Sequence, residues 1–410
     1  MISDLTINRF AKETQKNSVP ITHDSRFTIL DFTIMHICFI GQYPYQNQTA
    51  GGVGTFTQTL AEELAKRNLR VSVIAVYPGV QEINEVQNGV HIQWLNQNKW
   101  SYGNFIRNAK RINQLLSSIH KQHPIDIVET QEAGLAFISR IDPIRYVIRL
   151  HGGHYFFSHT LSKPFSRLKG WLEKRSFEKA DAFIGVSHFV LNETAKWLRI
   201  DKSKAIVIPN PINCKRFYSA DNAKAIEGRI LFAGRLVEKK GIRQLIQAMP
   251  LVIKKCPAAH LHIYGGDTSI DTGSSFQTQL EALIPPTIKD KILFFGEIKN
   301  EALPSKIEQA QLCVYPSHME AMPIAWLEVM AMGKPFIAGR PGPGPEVIDD
   351  GKDGLLCDPF SPADIASKII WMLENPVAAN DMGILAREKV LANYALELIT
   401  EKNVSFFKKI

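Results

Sequence analysis

Cysteine is sparse and unpatterned in this 410-residue chain: Cys38, Cys214, Cys256, Cys313 and Cys357 are far apart, odd in number and in no metal-ligand spacing. That usage argues against a disulfide framework or a zinc site, and the apolar neighbours of Cys38 and Cys313 fit buried free thiols in a reducing compartment. Long apolar runs are also missing. None approaches the roughly 18 residues a membrane-spanning helix needs. The best candidate, 29–40, is interrupted by Asp31 and has no small-residue cleavage site, so neither signal peptide nor anchor is expected. G-x-G-x-x-G and the Walker loop are absent, and the second expected strand ends in Tyr77-Pro78 without the acidic residue that a dinucleotide site uses on its ribose. Basic residues are spread along the chain rather than gathered in a nucleic-acid motif, so no nucleic-acid partner is expected.

What is present is ordinary for a folded globular protein: 45% hydrophobic and 21% charged residues. The length implies two or three domains. The formal charge of +8 suits an acidic partner, whether nucleoside diphosphate, nucleic acid or anionic membrane surface, without choosing among them. Short apolar runs rich in β-branched and aromatic residues alternate with amphipathic helical patterns, the signature of parallel α/β units. Strands are expected at 34–41, 71–76, 90–94, 126–129, 145–150, 182–186 and 205–208, then at 229–233, 260–264, 291–295, 312–315, 335–338 and 355–357. Helices are expected at 55–68, 242–254, 276–283, 301–309, 323–332 and 362–374. Ile208-Pro209-Asn210-Pro211 marks a stiff boundary. Residues 1–34 are polar and irregular and read as an N-terminal extension or a start assigned too early. The architecture expected is α/β, two Rossmann-like domains facing across a cleft, with ligands at the carboxyl ends of the strands.

Four constellations carry chemistry. Gly51-Gly52-Val53-Gly54 follows the first strand and opens a helix, where glycines admit a ligand and free N–H groups face an anion. A tight turn without ligand is the alternative. Gly234-Arg235-Leu236-Val237-Glu238-Lys239-Lys240-Gly241 lies between a strand and a helix. Arg235 and Lys240 there suit a diphosphate, each contact being worth about 4 kcal/mol at 4 Å before desolvation; taken alone the run also reads as a solvated face. His151 follows the strand 145–150 and is either a structural histidine or a group that polarises a sugar hydroxyl. In the segment 316–335, Glu320 and Glu328 read as a loop carboxylate and a helix carboxylate, with the N–H groups of Ile324 and Ala325 aimed at a phosphate.

Glu320-x7-Glu328 followed by Val-Met-Ala-Met-Gly-Lys-Pro resembles the E-x7-E signature of the retaining glycosyltransferase family 4, with its GT-B fold. The resemblance is ordered and covers about 35–390, taking in Gly51-Gly52-Val53-Gly54, His151-Gly152, Val186-Ser187, Gly234-Arg235-Leu236 with Lys240-Gly241, Tyr264-Gly265-Gly266-Asp267 and Pro345-Glu346-Val347-Ile348. It implies that Arg235 and Lys240 hold the donor diphosphate, that Glu328 binds the ribose and that Glu320 binds the transferred sugar. Gly52 would border the phosphates, His151 would sit near the sugar, and Ile298 would contact the base through its backbone. The chain departs from the commonest form at Met322-Pro323, where many members have Phe-Gly. The resemblance divides the chain into an acceptor domain at 35–212, a nucleotide-sugar donor domain at 213–390 and a C-terminal helix at 391–410 that packs back on the first domain.

The expected function is therefore a cytoplasmic, metal-independent, retaining glycosyltransferase that needs no cofactor. Its partners would be a nucleotide-sugar donor, with uridine the first choice of base and guanosine the second, and a glycan or lipid-linked acceptor of cell-surface polysaccharide synthesis. No acid of the first domain presents itself as a nucleophile, so front-face attack is expected over double displacement. The stretch 163–181 carries six basic and three acidic residues among Phe165, Trp171 and Phe177. It reads either as an ordinary surface helix or as a peripheral contact with the anionic inner face of a membrane. An epimerase or phosphorylase on the same frame, and a non-catalytic nucleotide-sugar binding module, stay open.

Overall fold

The computed structural model describes residues 34–45, 51–97, 102–268 and 275–410. The reading of residues 1–34 as an extension falls almost wholly outside these. Met35–Ile410 form one compact unit.

Among the described residues the first half builds an eight-stranded sheet in the order β3-β4-β2-β1-β5-β6-β7-β8. Its strands are β1 (His36–Gly41), β2 (Arg70–Tyr77), β3 (Asn84–Gln87), β4 (Val90–Asn96), β5 (Ile127–Gln131), β6 (Arg145–Leu150), β7 (Ala182–Gly185) and β8 (Ala205–Val207). Every pairing is parallel except β3 with β4. Helices α1 (Gly51–Lys66), α2 (Tyr102–Gln122), α3 (His154–Thr160), α4 (Arg167–Phe177) and α5 (His188–Ala195) connect them. Central strands such as β2 and β6 are buried on both faces, as crossover helices require. β3 was not expected. Its sequence Asn-Glu-Val-Gln is nearly all polar, and it rides the sheet edge, tied by the Trp94 indole donating to Glu85 at 2.5 Å.

The second half builds a six-stranded sheet, β11-β10-β9-β12-β13-β14. These are β9 (Arg229–Ala233), β10 (His260–Tyr264), β11 (Ile292–Phe294), β12 (Leu312–Tyr315), β13 (Phe336–Gly339) and β14 (Leu355–Cys357). All are paired parallel. Around them lie α6 (Ile242–Lys255), α7 (Phe276–Glu281), α8 (Leu303–Glu308), α9 (Ile324–Ala331), α10 (Gly344–Val347), α11 (Pro362–Glu374) and α12 (Pro376–Asn393).

The last helix, α13 (Leu396–Phe407), leaves the second sheet. Its Ile399, Val404, Phe406 and Phe407 join the core made by Phe56, Leu60 and Leu64 of α1 with Ile37 and Val71 of the first sheet. Asn403 reaches the buried Arg149 at 2.5 Å, and Arg67 binds Glu401 at 2.9 Å. The two chain segments that pass between the halves run side by side. Ile212 N–H donates to Tyr394 C=O at 2.9 Å and Leu396 N–H donates to Ile212 C=O at 3.0 Å.

Candidate active site

In the second half the loops leaving β9, β10 and β11 are laced together by their backbones. Gly234 N–H donates to Tyr264 C=O (2.8 Å), Leu236 N–H to Gly266 C=O (3.0 Å) and Gly265 N–H to Gly296 C=O (2.8 Å). A Cβ at Gly265 would lie 1.9 Å from the Gly234 carbonyl oxygen, so only glycine lets these loops meet. Gly241 does the same for the next pair. At φ +70° it sits 1.8 Å, by its missing Cβ, from the Pro316 carbonyl oxygen, clamping the Lys239-Lys240 turn onto the loop after β12.

That clamp brings Lys240 to Glu320, with Nζ 2.6 Å from Oε1. The approach is a charge contact, since no hydrogen bond of good geometry reaches Oε1. Burial raises the Glu320 carboxyl pKa, but the Lys240 and Lys239 charges outweigh it and leave the group below its ordinary value. Glu328 lies on α9 in the same field. Burial pushes it up to about 7, against the pull of Arg216 and Lys240. Pro323 is the N-cap of α9 (φ −77°, ψ 121°) and offers no side-chain cap, so the helix begins at Ile324 rather than at 323. The N–H groups of Ile324 and Ala325 belong to the first turn of α9, which has no side-chain cap.

Arg235 is exposed, without a hydrogen-bond or ion-pair partner among the described residues, and faces the other half. A Cβ on Gly51 would lie 3.8 Å from its guanidinium. Gly51 and Gly52 open α1 itself, which begins four residues before the expected start at 55. A Cβ on Gly52 meets nothing within 4 Å. Ile298, in the loop after β11, is partly buried against the core of the second half. His151, at the end of β6, packs edge-on to Phe56 with ring centroids 4.8 Å apart. Burial and the Arg149 charge push it down to about 3, so its imidazole is neutral at ordinary pH. Arg149 itself is paired with Glu129 at 2.7 and 2.9 Å, and its guanidinium covers the Phe56 ring at 4.7 Å. The structure thus brings Arg235 to Gly51, and Lys240 to Glu320 and Glu328; the ring contact of His151 is with Phe56.

Several residues of the sequence motifs act by contacts across the halves that their spacing does not reveal. Ser187 Oγ donates to the Ala321 carbonyl (2.6 Å) and Asn210 Nδ2 to the Met322 carbonyl (2.8 Å), so the first half grips the loop that carries Glu320. The Glu346 carboxylate accepts from the N–H groups of His188 and Phe189 at 2.8 and 3.1 Å, capping α5 from across the halves. An acid of the first half does stand near His151, contrary to expectation. Glu132, just past β5, is buried against the 151–153 loop, and burial together with Glu173 pushes it up to about 8. Among the described residues no group of three His, Cys, Asp or Glu side chains is placed to hold a metal, and no helix is long and apolar enough to cross a membrane.

Two parallel-stranded α/β halves with these groups at their strand ends define the GT-B architecture. Sucrose-phosphate synthase from Thermosynechococcus elongatus superposes with a TM-score of 0.78 at 22% identity, over 92% of this chain and 98% of that one. HepE from Anabaena, solved with UDP and glucose, gives 0.74 at 17% identity, over 92% and 100%. Residues 50–216 match the family described as Glycosyltransferase Family 4, and residues 217–389 match Glycosyl transferases group 1. The chain belongs to this glycosyltransferase family. Among curated relatives, glycogen synthase of Mycobacterium tuberculosis is 26% identical over 242 residues, which span 58% of this chain and only about half, 55%, of that enzyme. N-acetyl-alpha-D-glucosaminyl L-malate synthase of Bacillus anthracis is 24% identical over 370 residues, 86% of this chain and 93% of the relative.

Proposed function

We propose that this protein is a retaining glycosyltransferase that moves a sugar from a nucleoside diphosphate, with UDP the first choice, to a glycan or lipid-linked acceptor in polysaccharide synthesis. The observation that carries the reading is the pairing of Lys240 with Glu320, in a charge field that also reaches Glu328, together with the approach of Arg235 to Gly51 of the opposite half. Arg235, Lys240 and the N–H groups of Ile324 and Ala325 would stabilise the diphosphate as the anomeric C–O bond breaks, so that no metal is needed. Gly52 leaves room for the phosphates. Glu328 would grip the ribose hydroxyls, the Ile298 backbone the base, and Glu320 the transferred sugar. His151, held neutral, would accept or donate a hydrogen bond to the sugar.

Retention follows from front-face attack, the departing phosphate taking the acceptor proton. Glu132 supports this choice, because an acid with a pKa of about 8 is protonated at neutral pH and is a poor nucleophile. Trapping a covalent glycosyl-enzyme would refute it. Residues 35–212 serve as the acceptor domain and 213–390 as the donor domain, with 391–410 returning to the first. The reaction would take place in the cytoplasm; α4, with Leu168 (52% exposed) and Trp171 (49% exposed) among Arg167, Lys169 and Lys174, is either an ordinary surface helix or a peripheral contact with the anionic inner face of a membrane. Equal recovery with neutral and anionic liposomes would count against that contact.

The test is a thermal-shift panel of UDP, GDP and ADP with their common sugar conjugates in EDTA. Stabilisation by one nucleotide, lost in Glu328→Ala, supports the donor site and names the base. An absence of any shift would remove that support and favour a phosphorylase or an inactive module, whereas donor conversion without acceptor would favour an epimerase.

A further inference from the structure

Arg235 and Lys240 suffice for a diphosphate, yet a third cation stands in the same turn. Lys239 is partly buried, and its ammonium has no ion-pair or hydrogen-bond partner among the described residues. Its Nζ lies 4.0 Å from the centroid of Phe157 on α3, in the opposite half. Its own backbone carbonyl accepts from His318 N–H at 2.8 Å, so the side chain leaves a fixed anchor next to the Glu320 loop. The two cations touch different elements of the opposite half. The Arg235 guanidinium lies 3.8 Å from where a Cβ on Gly51 would stand, at the start of α1, whereas the Lys239 ammonium lies over Phe157 on α3; Lys239 also feels the charge of Lys163, on the loop after α3, as it does those of Glu320, Lys240 and Arg235.

We infer that Lys239, with Lys163, forms a cationic subsite for an anionic substituent, a carboxylate or a phosphate ester, on the acceptor sugar. The inference rests on the donor site proposed above and adds the chemical class of the second substrate. An ammonium withdrawn from water and left unpaired is costly, and burial lowers its pKa, with the Lys240, Lys163 and Arg235 charges acting in the same sense and only Glu320 opposing. Glu320 is already engaged by Lys240. The Phe157 ring holds the Lys239 side chain in place without neutralising it, so the charge remains available to an incoming anion. An uncharged acceptor would leave that charge unpaired on closing, which is the means by which a site discriminates.

The experiment is calorimetric titration of the UDP-saturated protein with glucuronic acid, glucose 6-phosphate and glucose, UDP occupying the diphosphate groups so that the anions cannot. At least one of the two acids is expected to bind about tenfold or more tightly than glucose, the scale of one charge-assisted contact. Which acid does so names the source of the negative charge. Lys239→Met keeps the stem against Phe157 and should abolish the preference. Lys163→Gln, on an exposed loop, should weaken it, as should added salt. Equal binding of all three sugars, or a preference that survives Lys239→Met, overturns the proposal. If Lys239→Met weakens UDP itself and no acid is preferred, Lys239 belongs to the donor diphosphate and the proposal falls. The titrations are repeated without UDP. Should UDP fail to bind, the donor reading is what fails, and the anion preference is still decided on the free protein.

Discussion

Lys240 Nζ stands 2.6 Å from Glu320 Oε1, joining the turn before α6 to the loop before α9. The same ammonium also pulls on Glu328, though there burial wins and Arg216 pulls harder, so one lysine acts on both carboxylates of the E-x7-E pair with opposite net outcomes. A donor diphosphate would compete with Glu320 for it, coupling donor arrival to release of a carboxylate.

Lys240→Met should therefore destabilise the protein at neutral pH by about 2 kcal/mol, the cost of a buried charged group losing its partner. The sign with pH is fixed by the depressed pKa of Glu320. Its stabilising contribution is present above the ordinary value of 4.5 and is lost as pH falls through the lower value it has in the fold. Urea melts at several acidic pH values should show the loss moving to higher pH in the variant; superimposable curves would contradict the pairing.

Glu328 behaves in the opposite sense. Raised to about 7, it favours the protonated fold, a contribution complete below 4.5 and lost as pH rises through 7. Ionised, it makes stronger hydrogen bonds to two hydroxyls. Nucleotide affinity should thus rise between pH 6 and 8, while Glu328→Gln binds more weakly and without that rise. An unchanged pH dependence in the variant would remove Glu328 from the site.

Gly52→Ala separates folding from binding. Its added methyl meets no protein atom within 4 Å. Placed in the first turn of α1, it should leave Tm unchanged or raise it by up to about 1 kcal/mol equivalent. The KM for donor should rise several-fold if phosphates border that position, and equal KM values would place them elsewhere.

Glu129→Ala strands Arg149, which is buried and already has one nitrogen, Nη1, without a partner. Loss of about 3–5 kcal/mol is expected in urea melts. A drop under about 1 kcal/mol would mean that water enters the small cavity beside Phe56 and His151 and takes over the charge.

The apolar runs make both sheets legible, because a doubly covered parallel strand is apolar almost throughout, as in Val73–Val76 and Leu312–Tyr315. β3 escaped notice because an edge strand needs no apolar face. Glycines read as a loop, so the sequence places the start of α1 at 55, although Gly51 and Gly52 are its first turn. Charged residues in a glycine-bracketed turn stand out in a sequence, which makes Arg235 and Lys240 legible as candidates. Lys239 stands in the same bracket but its contact with a ring on α3 has no sequence signal, and nothing around Glu132 reveals its burial against Gly153. Glu346 was noticed only as part of a motif, and its role in capping α5 depends on contact between residues more than a hundred positions apart.

The double crossing at Ile212 and Tyr394–Leu396 makes the second half an insertion whose entry and exit meet at one point. Tied by two hydrogen bonds, the pair cannot be bent one strand at a time. Opening and closing should be a swivel about that point, with little sliding, and should be slowed by a cross-link anywhere across the mouth.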